Sequence, residues 1–238
     1  MTASKASGWA AAIGGGIVGA ALTAGVFAFA APSLIGERVV REAMLAHPDI
    51  LVEASDALRD RQYAPTLAAQ RSVIETPFHS SWKGAAKPEV VLTYYYDYAC
   101  GYCRKSNPDI DRLLAEDKGL RVIFRELPIL GPASLAASRV ALAASKAGKF
   151  AAFHDALTAA GNPTPQSIAL AAAAAGVAAA PQDAPDQEAE LKRNFQIAGQ
   201  LGATGTPLFI VGDRVMNSAV GYDLLKDAVK DARRGRSI

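Results

Sequence analysis

Cysteine is scarce in this chain, with only Cys100 and Cys103 among 238 residues. Histidine is nearly as scarce, and His47, His79 and His154 are scattered singly. A structural zinc site needs about four Cys or His ligands, usually arranged as two pairs, so the sequence holds no metal motif. Basic runs with interleaved aromatics are absent and the net charge is only +2, which excludes an electrostatic footprint for nucleic acid. Half the residues are apolar, enough for the core of one domain of moderate size with additions.

Charge is missing altogether between Lys5 and Glu37, and Trp9 to Ala31 is an Ala, Gly, Val, Ile and Phe run. This segment, 1–36, fits two roles. As a signal peptide it has Lys5 as its basic end and Ala28-Phe29-Ala30 as a small-x-small cleavage site. As a membrane anchor over 9–31 it has the ~20 apolar residues that a bilayer span requires. Lys5 keeps the short N-terminal side in the cytoplasm and sends the rest outward. Either role exports the bulk of the chain to an oxidising compartment, the periplasm or the extracytoplasmic face of the inner membrane.

The two cysteines form a Cys-x-x-Cys pair at a junction. Val90 to Tyr96 is an apolar, β-branched and aromatic run that predicts a buried strand, and Ile110, Leu113 and Leu114 recur at helical spacing after it. The sulfurs of such a pair lie one helical turn apart, within reach of a disulfide. The first faces the unpaired N–H groups and the positive end of the helix dipole, which favours thiolate. A structural disulfide there would close only a tiny loop and stabilise little. A reversible dithiol–disulfide switch is the chemistry expected.

Along the chain, 37–75 predicts a polar helical region. Val39, Val40, Ala43 and Met44 share one face, His47-Pro48 breaks the helix, and Ile50, Ala54, Ala57 and Leu58 share the next. Such narrow apolar stripes cannot be buried alone; they pack on the main domain or on copies of themselves, as a homo-oligomer. Residues 76–88 predict a linker. From Glu89 the order is strand 89–96, helix 101–117 and strand 120–127. A helical block follows over about 132–203, with Thr164-Pro165 as N-cap and first helical residue. Strand Pro207 to Val211, a Gly212-Asp213 turn, Arg214 to Met216 and a helix from Tyr222 close the chain.

The fold class expected is α/β. This order, with Cys-x-x-Cys after the first core strand and Gly205-Thr206-Pro207 entering the third, resembles the thioredoxin superfamily. The helical block between the β-α-β and β-β-α halves resembles its DsbA branch, so 89–238 is expected to be a thioredoxin fold with an inserted helical domain. Asp97-Tyr98-Ala99-Cys100-Gly101-Tyr102-Cys103 and Pro128-Ile129-Leu130-Gly131-Pro132 resemble the ScsC and BdbD exported proteins, and His47-Pro48-Asp49-Ile50-Leu51 the N-terminal segment of the ScsC group. In some members that segment drives oligomerisation.

The resemblance implies a thiol–disulfide oxidoreductase, oxidase or isomerase, in which Cys100 attacks at the exposed helix end and the more buried Cys103 resolves. It implies a cis Thr206-Pro207 peptide that binds substrate, with no cofactor. The implied partners are cysteine-containing unfolded or misfolded proteins and an unidentified membrane redox protein. Two departures stand out. The buried acid usual six positions before the first cysteine is replaced by Tyr94, with Glu126 on the neighbouring strand a candidate substitute. Gly101-Tyr102 carries no histidine to stabilise the thiolate, so a milder oxidant is expected. The alternative from another class is a copper-tolerance protein holding Cu(I) between the two soft thiolates.

Overall fold

The computed structural model describes residues 36–179 and 184–235. The proposed signal peptide or anchor, 9–31, lies outside the described residues, and among those described no helix is long and apolar enough to cross a membrane.

Five strands form one sheet: β1 (Trp82–Gly84), β2 (Val90–Tyr96), β3 (Leu120–Glu126), β4 (Leu208–Val211) and β5 (Arg214–Met216). Their spatial order is β1-β3-β2-β4-β5. β2 and β3 run parallel, in register from Val90 opposite Leu120 to Tyr96 opposite Glu126. That pairing needs a crossover, which α3 (Gly101–Glu116) supplies. β4 and β5 form the antiparallel hairpin expected around Gly212-Asp213, with Gly212 at φ +56° in the turn. β1 falls inside 76–88, the stretch predicted as linker, and pairs antiparallel with the β3 edge. Three residues, one of them Gly84, between Pro77 and Pro88 carry too little periodicity to announce a strand; the edge of β3 creates it.

β2 is buried on both faces, and the alternation of its side chains feeds two cores. Leu92, Tyr94 and Tyr96 join the cluster containing Ile110, Phe124, Phe150 and Phe153. Tyr95 points the other way, into a cluster with Leu67, Ile74, Ile197, Leu208 and Ile210. The helical block between the sheet halves comprises α4 (Pro132–Lys146), α5 (Phe150–Ala160), α6 (Pro165–Ala175) and α7 (Pro185–Gln200), and α8 (Tyr222–Arg233) closes the fold. Thr164 caps α6 as its sequence predicts: its hydroxyl accepts from the Ser167 N–H at 3.0 Å while the Ser167 hydroxyl accepts from the Thr164 N–H at 2.8 Å.

The N-terminal region forms two helices parted at His47-Pro48, as expected: α1 over 36–46 and α2 (Asp49–Ile74). Contacts divide the chain into two compact units after Asp56. Within the second unit, Leu67 and Ile74 of α2 are buried in the Tyr95 core. Residues 37–55, in the first, are exposed throughout, including Val39, Leu45, Leu51 and Val52.

Candidate redox site

The site is assembled where β2 gives way to α3. Asp97, the first residue past the strand, is fully buried, and its carboxylate accepts from the Ala99 N–H at 2.7 Å. Its second oxygen accepts from the Ile129 and Leu130 N–H groups at 2.8 and 2.9 Å. One carboxylate therefore folds the turn that leads into the cysteines and ties it to the loop after β3. The turn delivers Cys100 to the N-cap of α3, with extended backbone at φ −76° and ψ 118°. There the Cys100 sulfur accepts from the Cys103 N–H at 3.4 Å, in the position a capping oxygen would take. No acidic residue occupies the first turn of the helix, and its positive end faces the sulfur.

Opposite the cysteines, the Thr206-Pro207 peptide is cis. The Cys100 thiol donates to the Thr206 carbonyl at 3.3 Å. Both cysteines are free. The expected order of exposure holds, but Cys100 is only 5 % exposed against 2 % for Cys103. Packing of the Thr206 loop over the helix end covers a sulfur that the local sequence would leave open. Tyr102, Ile129 and Leu130 are exposed around this point.

Burial pushes the Cys103 thiol up to about 12, although the nearby Asp97 backbone, Thr206 side chain and Tyr94 hydroxyl work in the opposite direction. Tyr94 fills the position of the missing acid. Its hydroxyl donates to the Cys103 carbonyl at 3.2 Å, and burial raises its own ionisation well above the phenol range. A neutral phenol donor thus holds the backbone of Cys103.

Glu126, the candidate substitute, is fully buried one strand away. Tyr96 donates to one of its oxygens and Ser138 to the other, the latter at 3.0 Å. Burial raises its carboxyl to about 8. It touches neither sulfur directly. His154 is packed among Tyr96, Tyr98, Phe124 and Phe150, where burial first and the Lys83 charge second lower it to about 3, so it is neutral at ordinary pH. Among the described residues no group of three or more His, Cys, Asp or Glu could hold a metal.

The geometry brings Cys100, Cys103, Thr206 and Pro207 together from positions more than a hundred residues apart. The tie made by Asp97 was not legible beforehand, although an Asp followed closely by an extended-to-helix turn is the pattern for such a bond.

The description "DSBA-like thioredoxin domain" matches residues 91–230 of this chain. The chain belongs to that family. Thiol–disulfide exchange is the chemistry of this DsbA-like family, and the sheet order and helical block described above are its fold. A second match, "Copper resistance protein ScsC N-terminal domain", covers residues 37–64. Among solved structures, ScsC from Proteus mirabilis in a transitional conformation is 27 % identical with a TM-score of 0.66, covering 87 % of this chain and 99 % of that one. A periplasmic thioredoxin-like protein from Salmonella enterica serovar Typhimurium is 28 % identical at TM-score 0.64, covering 69 % and 95 %. The thiol-disulfide exchange protein alpha-DsbA2 from Wolbachia pipientis is 26 % identical at 0.65, covering 75 % and 97 %. Two curated relatives, the Na(+)/H(+) antiporters NhaA 3 of Salinispora tropica and NhaA 1 of Salinispora arenicola, match 106 and 79 residues at 28 % and 32 % identity. The match spans only 16 % and 12 % of their lengths.

Proposed function

We propose that this DsbA-like protein is an exported thiol–disulfide oxidoreductase that forms or rearranges disulfides in cysteine-containing protein substrates. The observation that carries the proposal is Cys100 at a helix N-cap with its sulfur against the Thr206 carbonyl. In this reading Cys100 is the attacking sulfur, because it receives the helix dipole and the Cys103 N–H. Cys103, deeper and hard to ionise, is the resolving sulfur. Pairing of β4 with β2 ends at Leu208 opposite Tyr95, so the Thr206-Pro207 stretch just before it is placed to receive an extended substrate segment, strand to strand. Exposed Tyr102, Ile129 and Leu130 supply apolar contact for unfolded chains.

Export is supported by the charge-free N-terminal run and by the periplasmic relative from Salmonella. The direction of exchange follows from what the protein meets: a membrane redox partner that keeps it oxidised makes it an oxidase, and a reduced oligomer built through 37–75 makes it an isomerase. The exposed apolar residues at 39, 45, 51 and 52 favour self-association. Insulin-reduction and scrambled-ribonuclease assays on the full chain and on Cys100→Ala test the proposal. Activity that depends on Cys100 is the expected result; activity that survives the substitution overturns it. A copper role, suggested by the name of the family matching 37–64, predicts Cu(I) binding lost in Cys100→Ala without any exchange activity in the wild type.

A further inference from the structure

We propose that Arg104 makes the redox site prefer substrates with a carboxylate beside the reacting cysteine, by holding that carboxylate against its guanidinium. The proposal rests on the exchange reading above and adds the charge of the substrate segment that the site selects. Arg104 is a specificity-determining residue in it.

Arg104 lies one turn after Cys100 on α3, half-buried, and its backbone N–H donates to the Cys100 carbonyl at 3.1 Å. Its Nη1 donates to the Tyr98 carbonyl at 3.4 Å, a long bond to a neutral acceptor. No carboxylate pairs with it among the described residues. Other partly buried cations do have such partners: Arg71 pairs with Asp213, Lys83 with Asp155 and Arg214 with Asp231. Nη2 of Arg104 turns toward Gly101, where a methyl group in place of the hydrogen would lie 3.8 Å from it. With glycine at 101, no side chain at that position screens the guanidinium from the exposed end of the helix.

The segments that meet at the cysteine pair bring no exposed negative charge. Over 98–108 the charged residues are Arg104 and Lys105, both positive. Residues 127–138, which Asp97 ties to the pair, carry no charge, and neither do 201–212, which bring Thr206 over Cys100. Asp97 itself is fully buried, with its oxygens taken up by three backbone N–H groups. A substrate segment laid along the Thr206-Pro207 stretch advances about 3.3 Å per residue. Residues four apart on a helix lie about 6 Å apart at Cβ. The side chain next to the substrate cysteine is therefore within reach of position 104. A carboxylate there fits the guanidinium fork with two parallel N–H···O bonds, whereas a lysine or arginine meets like charge.

The test follows the reduced full chain reacting with symmetric peptide disulfides, each made of identical single-cysteine peptides with Glu, Gln or Lys beside the cysteine. Cys100 as thiolate attacks one peptide sulfur, the peptide S–S bond breaks, and its electron pair leaves on the other peptide. Cys103 then attacks Cys100 in the mixed disulfide and expels the second peptide thiolate. The protons of the two protein thiols pass through solvent to the released peptides, so the peptide disulfide is reduced and the cysteine pair oxidised. Initial rates are divided by those of dithiothreitol with the same disulfides, which removes each peptide's own reactivity. The wild type is expected to favour Glu over Gln by about threefold to fivefold at low salt, and Arg104→Gln to bring that ratio to about one. Taking the ratio cancels any change in the Cys100 thiolate that the substitution causes. Glutathione disulfide and its diethyl ester form a second pair. An Arg104-dependent preference in the peptides assigns the carboxylate to a protein, one confined to glutathione assigns it to a small thiol, and one in neither overturns the proposal. A preference that Arg104→Gln leaves standing overturns it as well. If Arg104→Gln does not fold, the wild-type ratio measured between about 0.02 and 0.5 M salt decides: a fall toward one supports the proposal, and a constant ratio overturns it. A wild type that reacts with none of the disulfides overturns the exchange reading and this proposal with it.

Discussion

The hydroxyl of Tyr94 donates to the main-chain carbonyl of Cys103 across 3.2 Å. The two residues are nine apart in sequence, on β2 and α3, and the bond fixes the first turn of the helix over the strand that precedes it. Because Tyr94 also favours the Cys103 thiolate, Tyr94→Phe is expected to slow resolution by Cys103. A neutral hydrogen bond contributes on the order of 1 kcal/mol, about fivefold in rate. Stopped-flow kinetics on mixed disulfides of the wild type and the variant measure it; the attack step at Cys100 should keep its rate.

Asp97→Ala removes the acceptor for three backbone N–H groups in one change. Bonds to a charged acceptor stabilise by about 1.5–3 kcal/mol each, and strain relief and water recover part of that. A loss of about 3 kcal/mol in chemical denaturation is expected, with faster hydrogen exchange at the Ile129 and Leu130 amides. Unaltered exchange there would show that the loop is held by something else.

His154 and Glu126 give opposite pH dependences. Burial lowers His154 from 6.5 to about 3, so its neutral form contributes stability above pH 6.5 that is lost as pH falls toward 3. Burial raises Glu126 from 4.5 to about 8, so its contribution is complete below pH 4.5 and is lost as pH rises through 8. Each slope reaches at most about 1.4 kcal/mol per pH unit. Urea denaturation against pH is expected to flatten on the acid side in His154→Phe and on the alkaline side in Glu126→Gln.

Arg125 is buried beside Glu190 and also donates to the Asn194 side chain at 3.2 Å and the Thr76 carbonyl at 2.6 Å, joining β3 to α7 and to the chain just past α2. Arg125→Met leaves the buried Glu190 charge with only its longer pair to Arg193, at 3.4 Å, and is expected to cost about 3 kcal/mol. The double change Arg125→Met with Glu190→Met removes both charges and is expected to recover most of that loss. A double variant no more stable than the single one would show that the arginine's carbonyl bonds matter more than the pair.

Much of this was legible in local patterns. The apolar run Val90 to Tyr96, the N-cap at Thr164, the break at His47-Pro48 and the Gly212-Asp213 turn each involve groups a few residues apart, and each element formed where its pattern placed it. β1 was not legible, because its three residues become a strand only against the edge of β3. The burial of Cys100 was not legible either, since its cover comes from Thr206, 106 residues on.

The sequence by itself determined the junction: two cysteines, three residues apart, where a buried strand becomes a helix, in an order of elements that belongs to the DsbA-like fold. Spacing, capping and the helix dipole suffice for that, because they act within one turn of backbone. Tertiary structure alone decided the electrostatics around the pair. Glu126, His154 and Cys103 depart from their ordinary ionisation through desolvation by elements distant in the chain. Burial depends on what packs over a group, and that is settled only when strands and helices meet.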